Sequence, residues 1–276
     1  MNLKGKNTDK LKLAAVHSYS LPLNIEANWT EMCRLLNRLE DQAVNFALFP
    51  ELSLSGYINS LEMLKNYLPH HPSILDRLTK LSETIKLGFA IGLPMPLNKS
   101  WGIAQLIFYK GKLLHTHFKS HLSVHEKLTF EQANSIDNFD FMGHKIGIQL
   151  CLESHFPELS IIQQKKGAEI LCFAYASPRE DPQEKFNRLS PLLKTRAYDN
   201  ACFVMACNLT GQTPSHKPYA GLALITSPRG QILSQSLAME SGFCTAQINF
   251  ESIKTIKNSQ MSNFTAYRNL NLKYSE

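Results

Sequence analysis

Two rhythms of apolar and polar positions alternate along this chain. Short, dense apolar runs of the kind that form buried strands are separated by stretches whose apolar residues recur at spacings of three and four, the period of a helix face. Residues 12–16 predict a first strand, and residues 24–46 a helix carrying Met32, Leu35, Leu36 and Leu39 on one stripe. Residues 46–49 predict a second strand, stopped by Pro50. A helix over 72–85 and a strand over 88–92 follow, then two strands, 103–109 and 112–118, around a Lys110-Gly111 turn. Further on, strands are expected at 145–150, 168–173 and 201–207, with helices at 158–166 and 189–200 between them. A late hairpin, 222–226 with 231–236, turns on Ser227-Pro228-Arg229-Gly230.

Strands separated by helices pair in parallel, whereas hairpins pair antiparallel, so the pattern predicts a mixed α/β sandwich. No repeat, low-complexity segment or linker divides the sequence, and residues 1–276 are read as one domain. From about Ser252 the chain turns polar and looks irregular, so 252–276 is expected to drape over the body or reach a partner subunit.

Composition narrows the function classes. The 276 residues are 43% hydrophobic and 19% charged, ordinary for a globular chain, which excludes disordered, collagen-like and coiled-coil classes. Net charge is +6, but the lysines and arginines are scattered, giving a solvated basic surface rather than a nucleic-acid footprint. Six cysteines without a CxxC pair, several inside apolar runs, read as buried thiols of a reducing compartment. No leader-like apolar segment and no long apolar span are visible, so a cytoplasmic protein with no membrane contact is expected.

Three reactive side chains stand where apolar strands stop, the place where functional residues of α/β sheets gather. Glu51 follows Phe46-Ala47-Leu48-Phe49-Pro50, and partial burial would raise its carboxyl toward the range of a general base. Lys119 closes the alternating strand Leu113-Leu114-His115-Thr116-His117-Phe118 and offers a fixed ammonium to an oxyanion or a thiol. Cys151 ends Ile146-Gly147-Ile148-Gln149-Leu150 and precedes a turn and helix, the layout of a nucleophile elbow, whose next N–H, that of Leu152, faces a developing oxyanion. Residues just beyond the strand ends are expected to wall the substrate cleft: Tyr57, His155, Tyr175, Ala176 and Ser177.

Together these positions resemble the Glu–Lys–Cys triad of the nitrilase, or carbon–nitrogen hydrolase, superfamily. The likeness extends over nearly the whole chain: Phe49-Pro50-Glu51 with Leu54-Ser55-Gly56-Tyr57, Lys119-Ser120-His121-Leu122, Cys151 with Phe156-Pro157-Glu158, and Arg196-Ala197-Tyr198-Asp199-Asn200 before Ala206-Cys207-Asn208. The resemblance implies a four-layer αββα sandwich of two mixed sheets flanked by helices. It implies Glu51 as general base, Cys151 as nucleophile, and Lys119 with the Leu152 N–H as oxyanion stabilisers. Glu126 matches a second family glutamate that positions the lysine. The implied reaction is hydrolysis of a small linear amide through an acyl-thioester, without metal or cofactor, in a homodimer.

The chain departs from the family pattern between Cys151 and Phe156, where Leu152-Glu153-Ser154-His155 stands. Glu153 resembles the Cys-x-Glu of nitrile-cleaving members, so a nitrilase or N-carbamoyl amidohydrolase is an alternative, as is a non-catalytic scaffolding member. His155 stands where many relatives carry arginine, which argues for uncharged acyl groups. Asp199 replaces the usual glutamate of the helix motif. His115, His117, His121 and His125 resemble a metal cluster, but a ligand set there would straddle the charged Lys119, so none is expected. Neither a GxGxxG nor a phosphate-binding loop is present.

Overall fold

The computed structural model describes residues 9–212 and 217–269. Among them, two six-stranded mixed sheets form. The first runs in the order β14 (Gly242–Asn249), β1 (Lys10–His17), β2 (Phe46–Leu48), β3 (Gly88–Leu97), β4 (Ser100–Tyr109), β5 (Lys112–Phe118). The second runs β13 (Ile232–Ala238), β12 (Gly221–Thr226), β9 (Phe203–Asn208), β8 (Ile170–Tyr175), β7 (His144–Leu150), β6 (Asn138–Phe141). β1, β2 and β3 pair in parallel, as do β7, β8 and β9, and the outer pairings are antiparallel. Strands linked through helices are the parallel ones, as the sequence pattern predicts.

The sheets face each other over one apolar core in which Phe46 meets Phe139 and Phe141, with ring centroids 5.9 and 5.1 Å apart. Helix α1 (Ile25–Asp41) buries the expected Met32, Leu35, Leu36 and Leu39 stripe against the first sheet. α3 (His71–Thr84) lies against β4 and β5 on the same side. On the far face of the second sheet, α5 (Pro182–Asn200) sets Leu189, Leu193 and Ala197 against Phe173, Val204 and Leu224, and α4 (Pro157–Lys165) lies over β7. The layers are thus αββα. No helix of the described residues is long and apolar enough to cross a membrane.

Several boundaries differ from the sequence reading, each for a local reason. α1 stops at Asp41, because Ala43 takes a left-handed φ of 55° and Asn45 turns its side chain back to accept from Lys12 N. β3 continues through Pro94 and Pro96, which is tolerated because this half of the strand pairs only with β4. α5 starts seven residues earlier than expected, at a capping box in which Asp181 accepts from Glu184 N and Glu184 accepts from Asp181 N. A short helix, α2 (Leu61–Tyr67), capped by Ser60, was not anticipated. Nor is the tail irregular at its start: α6 (Glu251–Lys257) buries Ile253 and Ile256. Beyond it Arg268 bonds Asn200 Oδ1 and Asp199 O, so this part drapes over the body. Residues 270–276 of the expected tail lie outside the described residues.

Candidate active site

The ends of β2, β5 and β7 bring Glu51, Lys119 and Cys151 together. Glu51 sits in a turn locked to β3 by Phe49 N to Ala90 O (2.9 Å) and Leu54 N to Gly92 O (3.1 Å). Gly92 is obligatory at this crossing: a Cβ there would lie 2.2 Å from Leu52 N and 2.7 Å from Pro50 O. Lys119 is held by its N–H to Ile103 O, while its carbonyl accepts from Ala133. Cys151 opens a single 3-10 turn with a left-handed φ of 37°, a strained elbow of the sort that aims a nucleophile out of a sheet.

The buried Lys119 ammonium donates to Glu51 Oε1 and to Glu126 Oε1, both at 2.7 Å. Glu126 is anchored in turn by Ser123 N at 2.7 Å and receives the Tyr57 hydroxyl at 3.3 Å. One ammonium therefore faces two carboxylates. Burial is the main cause that pushes Glu51 up to about 7; the Lys119 charge opposes it and that of Glu126 reinforces it. Burial works against the Lys119 charge, but Glu51, Cys151 and Glu126 outweigh it and raise the ammonium above the usual lysine range. Cys151 is pushed up to about 12, mainly by burial and then by Glu51, with Lys119 and the Ala176 N–H pulling the other way. The resting site is therefore a neutral thiol beside a carboxyl that changes protonation near neutrality. Glu51 Oε2, buried, has no hydrogen-bond partner among the described residues. It is free to receive a proton.

Glu153 has a position that the sequence did not disclose. Fully buried, it accepts from Leu150 N (2.6 Å), Ser120 N (2.7 Å), Ser120 Oγ (2.5 Å) and pairs with His117 Nε2 (2.9 Å). It stitches the residue before the cysteine to the residue after the lysine. Burial opposes its charge, yet His117 and the Ser120 donors outweigh that and hold Glu153 below the usual carboxylate range. The Cys-x-Glu spacing thus has a local structural use in this chain.

The expected cleft walls divide. Tyr57 packs against the cluster of Ala176, Leu209 and Tyr219, beside Glu126. Tyr175 is buried in the layer under α5, against which Cys151 also packs. Ser177 is half-buried and pinned by Asn208, whose Oδ1 accepts from Ser177 N. Leu152 is half-buried in the elbow, and His155 is exposed at the end of that turn, untouched by the site's hydrogen bonds. Tyr219, from the short β11 (Pro218–Tyr219), was missed; its buried hydroxyl has no partner among the described residues, and Glu51 and Cys151 both raise it after burial. The irregular run around it carries no strand pattern. The four histidines scatter: His115 stacks on Phe139, His117 bonds Glu153, His121 stacks on Phe156 and His125 is exposed. No group of three metal-ligating side chains forms among the described residues.

A buried carboxylate, an ammonium and an elbow cysteine thus meet on an αββα frame. The carbon-nitrogen hydrolase family profile matches residues 12–258, and the chain belongs to that family. It is 25% identical over 238 residues to a glutamine-dependent NAD(+) synthetase of Aquifex aeolicus (84% of this chain, 41% of the relative). It is 30% identical over 152 residues to a 2-oxoglutaramate amidase of Bacillus subtilis (54% and 56%). The matches thus span less than two thirds of either relative. An amidase from Nesterenkonia sp. shares the fold at a TM-score of 0.79 and 18% identity, covering 97% of this chain and 99% of that one.

Proposed function

We propose that this protein is an amidase that hydrolyses the non-peptide C–N bond of a small linear amide through a Cys151 acyl-thioester. The observation that carries the reading is Lys119 Nζ bridging Glu51 and Glu126 at 2.7 Å each, beside the elbow thiol. With the thiol near 12 and the carboxyl near 7, a free thiolate is scarce, so proton transfer to Glu51 accompanies attack on the carbonyl. The oxygen of the tetrahedral intermediate is met by Lys119 and the Leu152 N–H. Glu51 then passes the proton to the departing ammonia or amine. In the second half it deprotonates water, which attacks the thioester and restores the thiol. Every proton has a named carrier, and no cofactor enters. Because Glu153 is committed to holding the elbow, its presence adds no weight to a nitrile substrate.

The reading extends to the chain as one hydrolase domain, cytoplasmic and pairing as a homodimer. The decisive experiment is a panel of short amides, carbamoyl compounds and nitriles, scored for released ammonia or amine. Amides are expected to be turned over fastest. Cys151→Ala is expected to lose turnover by at least ~10³-fold at an unchanged melting temperature, and a rapidly quenched wild-type reaction to carry the acyl mass on Cys151. Turnover by the alanine variant within tenfold of wild type would refute the mechanism.

A further inference from the structure

Lys119 and Cys151 reach the site from different sheets. β5 is the outer strand of the first and β7 an inner strand of the second, and no backbone ladder runs between them. Facing sheets touch through side chains rather than through shared backbone bonds, so the spacing of ammonium and thiol needs another fastener. Among the described residues, the hydrogen bonds that cross from this strand end to the elbow all end on Glu153. Its Oε1 takes the two Ser120 donors, and its Oε2 takes Leu150 N and His117 Nε2. One oxygen thus ties β5 to the residue before Cys151.

His117 is the strand's own member of this cross-link. It is 2% exposed and lies two positions before Lys119 on the same face, about 7 Å along the strand. Glu153, held below the usual carboxylate range, can only accept, so Nε2 is the protonated nitrogen of the imidazole. Packing does not fix the ring by itself: a cavity of about 270 Å³ lies beside it, lined also by Asn98, His115, Thr116 and Asp137. The elbow on the other side is strained, with Cys151 at a φ of 37°, and such residues persist only where their surroundings over-determine them.

We infer that His117 is a positioning residue: through Glu153 it fixes the distance between Lys119 and Cys151 across the two sheets. It touches no reacting atom. The inference rests on the amidase reading, in which thiol attack and oxyanion capture need the two groups in register. A misplacement of about 1 Å in such a constellation costs on the order of 10²-fold.

Three substitutions at position 117 test this, with His115→Leu as control. His115 shares the face and the cavity but stacks on Phe139. A glutamine amide reaches as far as Nε2, an asparagine amide stops one carbon short, and leucine donates nothing. His117→Gln is expected to keep kcat within about threefold of wild type. His117→Asn and His117→Leu should lose ~10- to 10²-fold in kcat with KM little changed, and His115→Leu should stay within about twofold. Should His117→Leu fail to fold, the glutamine and asparagine variants decide between them. Alkylation of Cys151 by iodoacetamide, followed by peptide mass, reads the same spacing without an amide, because Lys119 favours the thiolate. It should slow in His117→Asn and not in His117→Gln. Equal kcat or equal alkylation in those two variants, or as large a loss from His115→Leu, would overturn the inference. A wild type inert toward every amide, whose alkylation still separates the two variants, would sink the amidase reading and leave the positioning role standing.

Discussion

Lys119 and Lys185 are both withdrawn from water, at 1% and 0% exposure, yet their surroundings are opposites. Lys119 lies between two carboxylates at 2.7 Å and is held above the lysine range. Lys185 shares one carboxylate, that of Glu180, with Arg188 and is pulled below that range. Burial is the largest single influence on each, and in each it favours the neutral amine. The sign of the outcome is decided by the count of opposite charges. Beside Lys119, burial, reinforced by Glu126, brings Glu51 up to about 7. At Lys185 the one carboxylate, shared with Arg188, does not outweigh burial.

The sharpest break in this contrast is Lys119→Met. It leaves Glu51 and Glu126 facing each other without their shared cation, and we expect turnover to be lost and folding stability to drop by about 3–5 kcal/mol at pH 8. Without the ammonium the folded-state pKa of Glu51, already raised, rises further above its unfolded value. The folded form then gains protons as pH falls, and the deficit should shrink between pH 8 and pH 5. Urea melts at the two pH values check this; a deficit independent of pH would mean that the carboxylates are not the cause.

Glu51→Gln is next in size. It keeps the shape but removes the base, and kcat should fall at least ~10²-fold. For the wild type, kcat/KM should climb as pH rises through about 7, where Glu51 loses its proton, and this limb should vanish in the variant. Stability should respond in the opposite sense. A carboxyl raised from 4.5 to about 7 contributes stability that is present below 4.5 and lost as pH rises through 7, so the variant's stability profile should be flatter across that window. The smallest effect belongs to Lys185→Met, where a side chain of similar length replaces a buried ammonium and Glu180 keeps Arg188. Stability should stay within about 1 kcal/mol of wild type. A cost like that of Lys119→Met would erase the distinction between the two lysines.

Glu51, Lys119 and Cys151 were legible as strand-end residues because each closes a strand-like stretch: the apolar run Phe46 to Phe49, the alternating Leu113 to Phe118, and the mostly apolar Ile146 to Leu150. The parallel core strands were legible for the same reason. The places of Glu153, Lys185 and Glu180 were not, since these look like solvated charges until the turns close around them. Some signals were present and went unused. Asp181-Pro182-Gln183-Glu184 is a capping box marking the start of α5, and Ile253 and Ile256 carry helical spacing in the tail. β14 escaped because its burial does not alternate, and Tyr219 because a two-residue strand leaves no pattern.

The pairing of β1 with β14 sets a schedule for synthesis. Leu13 to Ala15 can dock on β2 early, but the other neighbour of β1 comprises residues 242–249, and His17 pairs with Gly242. The ribosome must add 242 − 17 = 225 further residues before that bond can form. At ~5–20 residues per second this is about 10–45 s. Throughout that interval β1 presents an apolar, hydrogen-bond-hungry edge to any other extended chain. The nascent protein is therefore open to aggregation on the strand that neighbours the one leading to Glu51, long before the site around that carboxyl exists. Chaperones that shield early strands should raise the yield of folded enzyme more than its final stability would suggest.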